Sequence, residues 1–408
     1  MQTVLITGAA SGIGRDTARR FASAGWQCVL VDHNAQALGQ LGASLPAPAS
    51  APHVLRCIDL TDATQVASLG EGMPALDAVL NNAGMSDASN TPLAEQGPAH
   101  TARLLALNLA APAAVVDACA RWLKPGARVV NVASGAGLHA IPWRGAYSPS
   151  KAGLIAQTRA LARARPDWCV TVLCPGFVRT ELVAGLIEAG RLKPEGALAK
   201  IPLGRMAAPE EMARALQFLA SADAAPLHGQ MLALNGGSSV YGGSQPLPVA
   251  TLAPLPLDTP MELEVRGGDD RAWRAIAQPQ PTAQPRYDAC LDLSPLHAPA
   301  AGLLEAVHAS AVRFAARHAQ QASLTLLLPA VDVGRWQDAG DGAAARMLVA
   351  TLACEWGSRA LRINALEVQP SFDAQALHLL LRYVCGAEAQ FLTGQVLMCA
   401  GNASEASR

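Results

Sequence analysis

The chain has 408 residues, 51% of them hydrophobic, and a formal net charge of −1 at pH 7. The length allows two domains with separate cores, and the charge balance leaves no basic surplus for nucleic acid and no acidic tail. Nine cysteines without a CxxC pair argue against a disulfide framework and against a zinc site, and point to reduced thiols in the cytoplasm.

The N-terminus, MQTVLITGAA, starts at once on an apolar strand and lacks the basic region and cleavage site of a signal peptide. No apolar run approaches the length of a bilayer-spanning helix without charge or turn residues, so no membrane span is expected. Val4-Leu5-Ile6 reads as a strand, followed by a Gly-rich turn and a helix over Arg15 to Ala24. Further strands are expected at Cys28 to Val31, Val54 to Ile58, Leu76 to Leu80, Arg128 to Val132 and Val170 to Leu173. Short, nearly continuous apolar strands separated by helices predict an α/β fold, a Rossmann-type doubly wound parallel sheet covered on both faces. The Pro- and Ala-rich stretch 44–53 reads as a surface loop. Residues 238–260 hold five prolines and no helical periodicity, which marks a semi-rigid linker. The expected division is therefore 1–241, a linker at 242–260, and 261–408.

Beyond the linker lies a degraded internal repeat. His228 to Gly237 resembles Thr393 to Asn402, and each follows an apolar helix, Met212 to Leu219 and Ala376 to Val384. Upstream, Ala160-Leu161-Ala162 before Val170 to Leu173 parallels Thr351-Leu352-Ala353 before Leu361 to Leu366. Matches in the same order predict a second, truncated Rossmann-like domain, shortened at its N-terminal side.

Thr7 to Gly14 reads TGAASGIG, a GxxxGxG spacing between the first strand and the first helix. Gly8, Gly12 and Gly14 permit a tight turn and a close approach of backbone N–H groups to a pyrophosphate. The helix N-terminus adds its partial positive charge. Asp32 ends the second strand, beyond the helix that Gly14 opens. A carboxylate there accepts hydrogen bonds from ribose hydroxyls and repels the extra phosphate of NADP. No Lys or Arg neighbours it in Val31 to Asn34, and position 11 of the loop is Ser11. NAD is favoured over NADP.

Tyr147 and Lys151 are four apart at the start of an apolar helix, so they share a face. A free phenol titrates near 10, too high for a base at neutral pH. An ammonium at 4 Å contributes about 4 kcal/mol at an effective dielectric near 20, enough to favour phenolate. Ser134 precedes this pair in the chain, just past the strand ending at Val132. Ligands bind at the carboxyl ends of parallel strands, so its hydroxyl can hold a substrate oxygen beside the phenol.

With these residues in place, the chain resembles the short-chain dehydrogenases/reductases over about residues 1–241. Thr7 to Gly14, Asp59, Asn81-Asn82-Ala83-Gly84, Asn108, Ser134, Tyr147, Lys151 and Pro175-Gly176 occur in that family's order and spacing. Ile201 to Arg205, Pro209-Glu210-Glu211, Gly229-Gln230 and Asn235-Gly236-Gly237 also fit. The resemblance implies a dinucleotide held by Gly8, Ser11, Gly12, Ile13, Gly14, Asp32, Asp59, Leu60, Asn82, Ala83, Gly84, Tyr147, Lys151, Pro175, Gly176, Val178 and Thr180. It implies that Tyr147 exchanges the hydroxyl proton, Lys151 lowers its pKa, Ser134 orients the substrate oxygen, and Asn108 anchors a water that relays the proton. Hydride passes directly between substrate and nicotinamide, so no metal is expected.

The expected activity is NAD-dependent interconversion of a secondary alcohol and a ketone. An NADPH-dependent biosynthetic ketoreductase of 3-oxoacyl type and a non-catalytic nucleotide-binding scaffold are the alternatives. Ala136, Trp143, Arg144 and Phe177 are the candidate substrate residues: Trp143 for an apolar wall, Arg144 for a carboxylate or simply for solvent. No lysine follows Lys200, so the second half has no Tyr/Lys pair. The repeat places Asp338 and Gly342 near the Tyr and Lys positions, and Gly267-Gly268 is its nearest approach to a glycine loop. That half reads as an inactive copy serving as an internal dimer partner, in a chain expected to form homodimers and to bind neither nucleic acid nor membrane.

Overall fold

A computed structural model describes residues 1–399, apart from 47, 49–50, 88, 90, 189, 191, 269–272, 274–285, 331–338 and 370–371. Asp338, and Ala400, Gly401 and Asn402 of the repeat, lie outside the described residues, as do parts of the 44–53 loop.

The chain forms two compact units, one of residues 1–193 and 208–232, the other of 194–207 and 233 onward. In the first, strands β1 (Thr3–Thr7), β2 (Gln27–Asp32), β3 (Val54–Cys57), β4 (Leu76–Asn81), β5 (Leu123–Val132), β6 (Cys169–Leu173) and β7 (Met231–Leu232) make a sheet in the order β3-β2-β1-β4-β5-β6-β7. Every pairing is parallel. The strands β1, β2 and β6 are buried at every residue, which is why they read as unbroken apolar runs rather than alternating ones. Helices α1 (Gly12–Ser23), α2 (Ala35–Ser44), α3 (Ala63–Ser68), α4 (Pro98–Leu105), α5 (Ala111–Cys119) and α6 (Tyr147–Ala164) connect them. They are followed by α7 (Glu181–Glu188) and α9 (Pro209–Leu219), with α8 (Pro194–Leu198) in the other unit. The order reverses between β1 and β4, so a cleft opens at the carboxyl ends of these two strands, the switch point where such sheets bind ligands.

One helix meets the length and composition of a membrane span. The continuous helix Pro98–Trp122 is 25 residues long and, by length and composition, apolar enough to cross a membrane. The charges at Arg103 and Asp117 interrupt it to the eye but leave its average hydropathy high. Its residues Ala111, Val115, Val116 and Cys119 pack with Leu5, Val79 and Val129 in the core of the first unit, which accounts for the apolar face.

In the second unit, strands β8 (Met261–Arg266), β9 (Tyr287–Asp292), β10 (Ala322–Pro329), β11 (Leu361–Val368) and β12 (Val396–Met398) form a parallel sheet in the order β12-β11-β10-β9-β8. Its helices are α10 (Leu303–Ala315), α11 (Ala339–Trp356) and α12 (Ala374–Cys385). This is the order β1-β4-β5-β6-β7 of the first sheet with the β2 and β3 positions missing. The details correspond. A Cβ on Gly8 would lie 2.9 Å from Ala83 Cα, and one on Gly267 would lie 2.8 Å from Ser294 Cα. Both glycines have positive φ, +63° and +72°. Ala133 N donates to Leu173 O at 2.8 Å, as Ala330 N does to Val368 O. A Cβ on Gly229 would face Ala162 Cβ, and one on Gly394 would face Ala353 Cβ.

The boundary between the units differs from the expected one at 241. Residues 233–241 pack in the second unit, where Gly236 N donates to Phe391 O at 3.0 Å and receives Leu203 N at its own oxygen. The Pro-rich stretch is not a free tether either. Leu247 N and Ala250 N donate to Ala199 O and Gly204 O, and Leu255 exchanges two hydrogen bonds with the Gln390 amide. Composition flags prolines, whereas main-chain polar groups seek partners wherever the tertiary fold supplies them.

Candidate active site

The glycine loop is shaped by close approach. Gly8 and Gly12 adopt positive φ between β1 and α1. A Cβ on Gly14 would lie 2.0 Å from Gly8 O and 2.6 Å from Asn82 Nδ2, so the helix can enter this tightly only on a glycine. Thr7 Oγ1 accepts the N–H groups of Asn82 and Ala83, both at 3.0 Å. Asn82 Nδ2 returns bonds to Thr7 O and Gly8 O. The segment after β4 thus braces the loop after β1. Ser11 is exposed at the start of α1 and makes no side-chain cap, and Ile13 is half-buried behind it.

Asp32 is buried at the carboxyl end of β2. Its Oδ2 accepts Ala10 N at 2.9 Å and its Oδ1 accepts Asn34 N at 3.0 Å, so the carboxylate is held against the loop. The Asp59 carboxylate is turned onto Thr61, accepting its N–H at 2.9 Å and its hydroxyl at 2.7 Å. These bonds hold the acid below the usual carboxylate range. Leu60 beside it is buried. A cradle of this form, with a carboxylate at the end of β2 and the helix N-terminus at Gly12 to Gly14, fits a dinucleotide.

Helix α6 brings Tyr147 and Lys151 onto one face, and Pro149 sits harmlessly in its first turn. A buried polar ladder sets the helix against the sheet: Asn81 Nδ2 donates to Asn131 Oδ1 at 2.8 Å, and Asn131 Nδ2 to Thr158 Oγ1 at 2.8 Å. Ser134 caps the short turn Gly135–Gly137 by accepting Ala136 N at 3.1 Å, and its hydroxyl favours the ionised form of the Tyr147 phenol. Lys151 is buried, with Nζ donating to Val132 O at 2.9 Å. Asn108 is buried on a π-helical turn, Ala106–Ala110, between α4 and α5. Its amide exchanges hydrogen bonds with Met85 N and O and donates to Ser150 Oγ. A Cβ on Gly84 would lie 3.2 Å from both Asn108 Oδ1 and Lys151 Nζ. Ser134, Tyr147, Lys151 and Asn108 are therefore gathered around one cleft, at the carboxyl ends of β4 and β5.

The electrostatics differ from the expectation in one respect. Burial pushes the Tyr147 phenol up, against the Ser134 hydrogen bond and the positive charge of Arg144, which both pull it down. The Lys151 Nζ stands 6.0 Å from the phenol ring centroid and is tied to Val132 O. Burial pushes Lys151 itself down to about 8. Desolvation penalises each charged form, a term that sequence spacing leaves out.

The model of the enoyl-(acyl carrier protein) reductase family matches residues 8–239, more than half of the chain. The chain belongs to the short-chain dehydrogenase/reductase family. Like its relatives, this dehydrogenase/reductase is an enzyme of oxidation and reduction. It is 33% identical over 245 residues to a 3-oxoacyl-(acyl-carrier-protein) reductase of Thermotoga maritima, covering 57% of this chain and 96% of that one. It is 39% identical over 242 residues to an uncharacterized short-chain type dehydrogenase/reductase of Sinorhizobium fredii, covering 58% of this chain but only 43% of the relative. A structure described as an NAD(P)-dependent gluconate 5-dehydrogenase of Beutenbergia cavernae, with low-occupancy NADP, superposes with a TM-score of 0.52. It is 29% identical and covers 59% of this chain and 97% of that one.

The remaining candidate residues of this dehydrogenase/reductase fall around the same cleft or beside it. Pro175 and Val178 are buried, Gly176, Phe177 and Thr180 half-buried, and Pro175 O accepts Gly135 N at 2.8 Å. Ala136 is buried, while Trp143 is 60% exposed with φ +57°. Arg144 Nη1 donates to Asp87 O at 3.1 Å. Sequence reading missed Glu181, whose carboxylate accepts Gly12 N at 3.2 Å and pairs with Arg15. It also missed Asn131, Thr158 and Ser150, which position the reacting groups. No local pattern marks such residues, because their partners lie far away in sequence.

Proposed function

We propose that this dehydrogenase/reductase interconverts a secondary alcohol and a ketone, with NAD as the hydride carrier. The buried Asp32 carboxylate at the end of β2, with no lysine or arginine in Val31 to Asn34, carries the choice of NAD. It accepts hydrogen bonds where ribose hydroxyls would donate, and it repels a 2′-phosphate. The dinucleotide, when bound, takes or returns the hydride. The protein's own residues hold and move the proton: Ser134 fixes the substrate oxygen, Tyr147 exchanges its proton, and Lys151 and Asn108 link the site to solvent. The decisive experiment is a screen of secondary alcohols with NAD and NADP side by side. Faster turnover with NADP at every alcohol overturns the cofactor assignment.

A second reading, reduction of a 3-oxoacyl thioester with NADPH, is favoured by the name of the Thermotoga relative. The same two-cofactor comparison, run with a 3-oxoacyl thioester, separates them. A scaffold without chemistry is disfavoured by the complete Ser134, Tyr147, Lys151 and Asn108 set. The second unit, with no lysine beyond Lys200 and no GxxxGxG loop, is proposed to be a decayed copy that binds no nucleotide and replaces a dimer partner. Homodimerisation of the whole chain, and residence in the cytoplasm with its nine unpaired thiols, belong to the same proposal.

A further inference from the structure

Arg144 stands three residues before the reacting phenol, and its backbone oxygen accepts Tyr147 N at 3.0 Å. The residue is thereby fixed to the first turn of α6. Among the described residues its guanidinium makes a single hydrogen bond, to the main-chain oxygen of Asp87. The Asp87 carboxylate is engaged elsewhere: it accepts Ser89 N at 2.7 Å and Gln96 Nε2 at 2.6 Å, and lies 3.6 Å from His100 Nε2. Gly145, at φ +51°, makes room for this arrangement, since a Cβ there would fall 2.5 Å from Asp87 Oδ2. Guanidinium carries five donors in a planar fork that matches a carboxylate. Four of Arg144's remain, and among the described residues no ion pair joins it to an acid. Its positive charge pulls the Tyr147 phenol down, and the two residues share the turn that opens α6. A half-buried cation without a counter-charge is costly, and such a site gains most from a ligand that brings one.

We propose that Arg144 is the specificity residue of the substrate pocket, and that it pairs with a carboxylate carried one or two carbons from the carbinol carbon. The substrate class is then the 2- or 3-hydroxy acids and their oxo acids. The proposal rests on the alcohol–ketone reading above. In the oxidative direction the carbinol C–H bond breaks and its hydride, with two electrons, passes to the oxidised dinucleotide. The hydroxyl proton goes to Tyr147 as phenolate, whose own proton has first left to solvent, the C=O bond forms, and the carboxylate stays ionised on Arg144.

The test compares 2- and 3-hydroxybutyrate with their uncharged methyl esters, in the wild type and in Arg144→Gln and Arg144→Lys. Each is assayed with NAD and NADP. The wild type is expected to favour an acid over its ester in kcat/KM. In Arg144→Gln that acid-over-ester ratio should fall roughly 10- to 100-fold, the range for a charged hydrogen-bonded pair, with the loss mainly in KM. Arg144→Lys should retain part of the ratio, because it keeps the charge without the fork. A merely structural Arg144, or one acting only on the phenol, lowers acid and ester rates together and leaves the ratio unchanged; that result overturns the proposal. Turnover of the esters alone by the wild type also overturns it, while leaving the alcohol–ketone reading intact. Inactivity of the wild type toward acids, esters and the wider alcohol panel overturns both. Arg144→Lys keeps the test decisive should Arg144→Gln fail to fold.

Discussion

Replacing Lys151 by methionine separates stability from catalysis. The ammonium is buried, and its pKa falls from 10.5 to about 8 because burial disfavours the charged form. At 1.36 kcal/mol per unit, this corresponds to about 3 kcal/mol of destabilisation while both states are protonated. The sign follows from proton counting. Between pH 8 and 10.5 the unfolded chain holds the proton and the folded one does not, so stability rises with pH through that window. From pH 7 to pH 10 the wild type should gain about 2.5 kcal/mol relative to Lys151→Met, which has no such group. Thiols such as Cys28 and Cys119, pushed up to about 12 by burial, act in the opposite direction above pH 9. They are common to both proteins and cancel in the difference. At pH 7 the variant loses the 2.9 Å bond to Val132 O, worth about 1.5–3 kcal/mol for a charged donor, so its net stability should lie close to wild type. Urea titrations of both proteins at pH 7 and pH 10 provide the double difference. A value near zero, or a variant several kcal/mol less stable at pH 7, would refute the reasoning. Turnover should be lost by on the order of 10²-fold or more at either pH.

Tyr147→Phe should lower turnover by at least about 10²-fold and leave NAD binding nearly intact, because the hydroxyl bonded to Ser134 works on the proton; a variant retaining a tenth of the rate removes Tyr147 from that role. Asp32→Ala should weaken NAD by about tenfold, since each lost hydrogen bond or repulsion counts for about a kcal/mol or more, and should narrow the preference over NADP. Titration of both dinucleotides reads this, and unchanged selectivity would take Asp32 out of the ribose site. Calorimetry on the full chain should give one dinucleotide per chain, and two would mean that the second unit binds its own. A chain cut after Tyr241 strips Gly236 of its bond to Phe391 O and exposes the apolar face around Ile201. It should aggregate or self-associate, and unaltered behaviour on a sizing column would count against an internal partner.

The sequence by itself determined the parallel α/β fold and named the candidate residues of the site. Fully buried parallel strands leave unbroken apolar runs, so Val4-Leu5-Ile6 and Cys28 to Val31 were legible as β1 and β2 without a structure. A glycine loop at the first strand–helix junction, and a tyrosine and lysine four apart on one helix, are local patterns, fixed by backbone geometry within a single turn. The resemblance around Thr393 and Gly394 is likewise a local pattern. Only the tertiary structure decided what surrounds those groups. Whether Tyr147 is pulled down by Lys151 or pushed up by burial depends on how deeply α6 seats, and that depends on the Asn81–Asn131–Thr158 ladder, which joins three separate elements. What the Arg144 guanidinium meets is the main chain at Asp87, 57 residues away. Where the units divide depends on Gly236 meeting Phe391, which follows only near the end of the chain. Desolvation and long-range hydrogen bonding are properties of neighbours in space, and the order of residues along a chain does not state who those neighbours are.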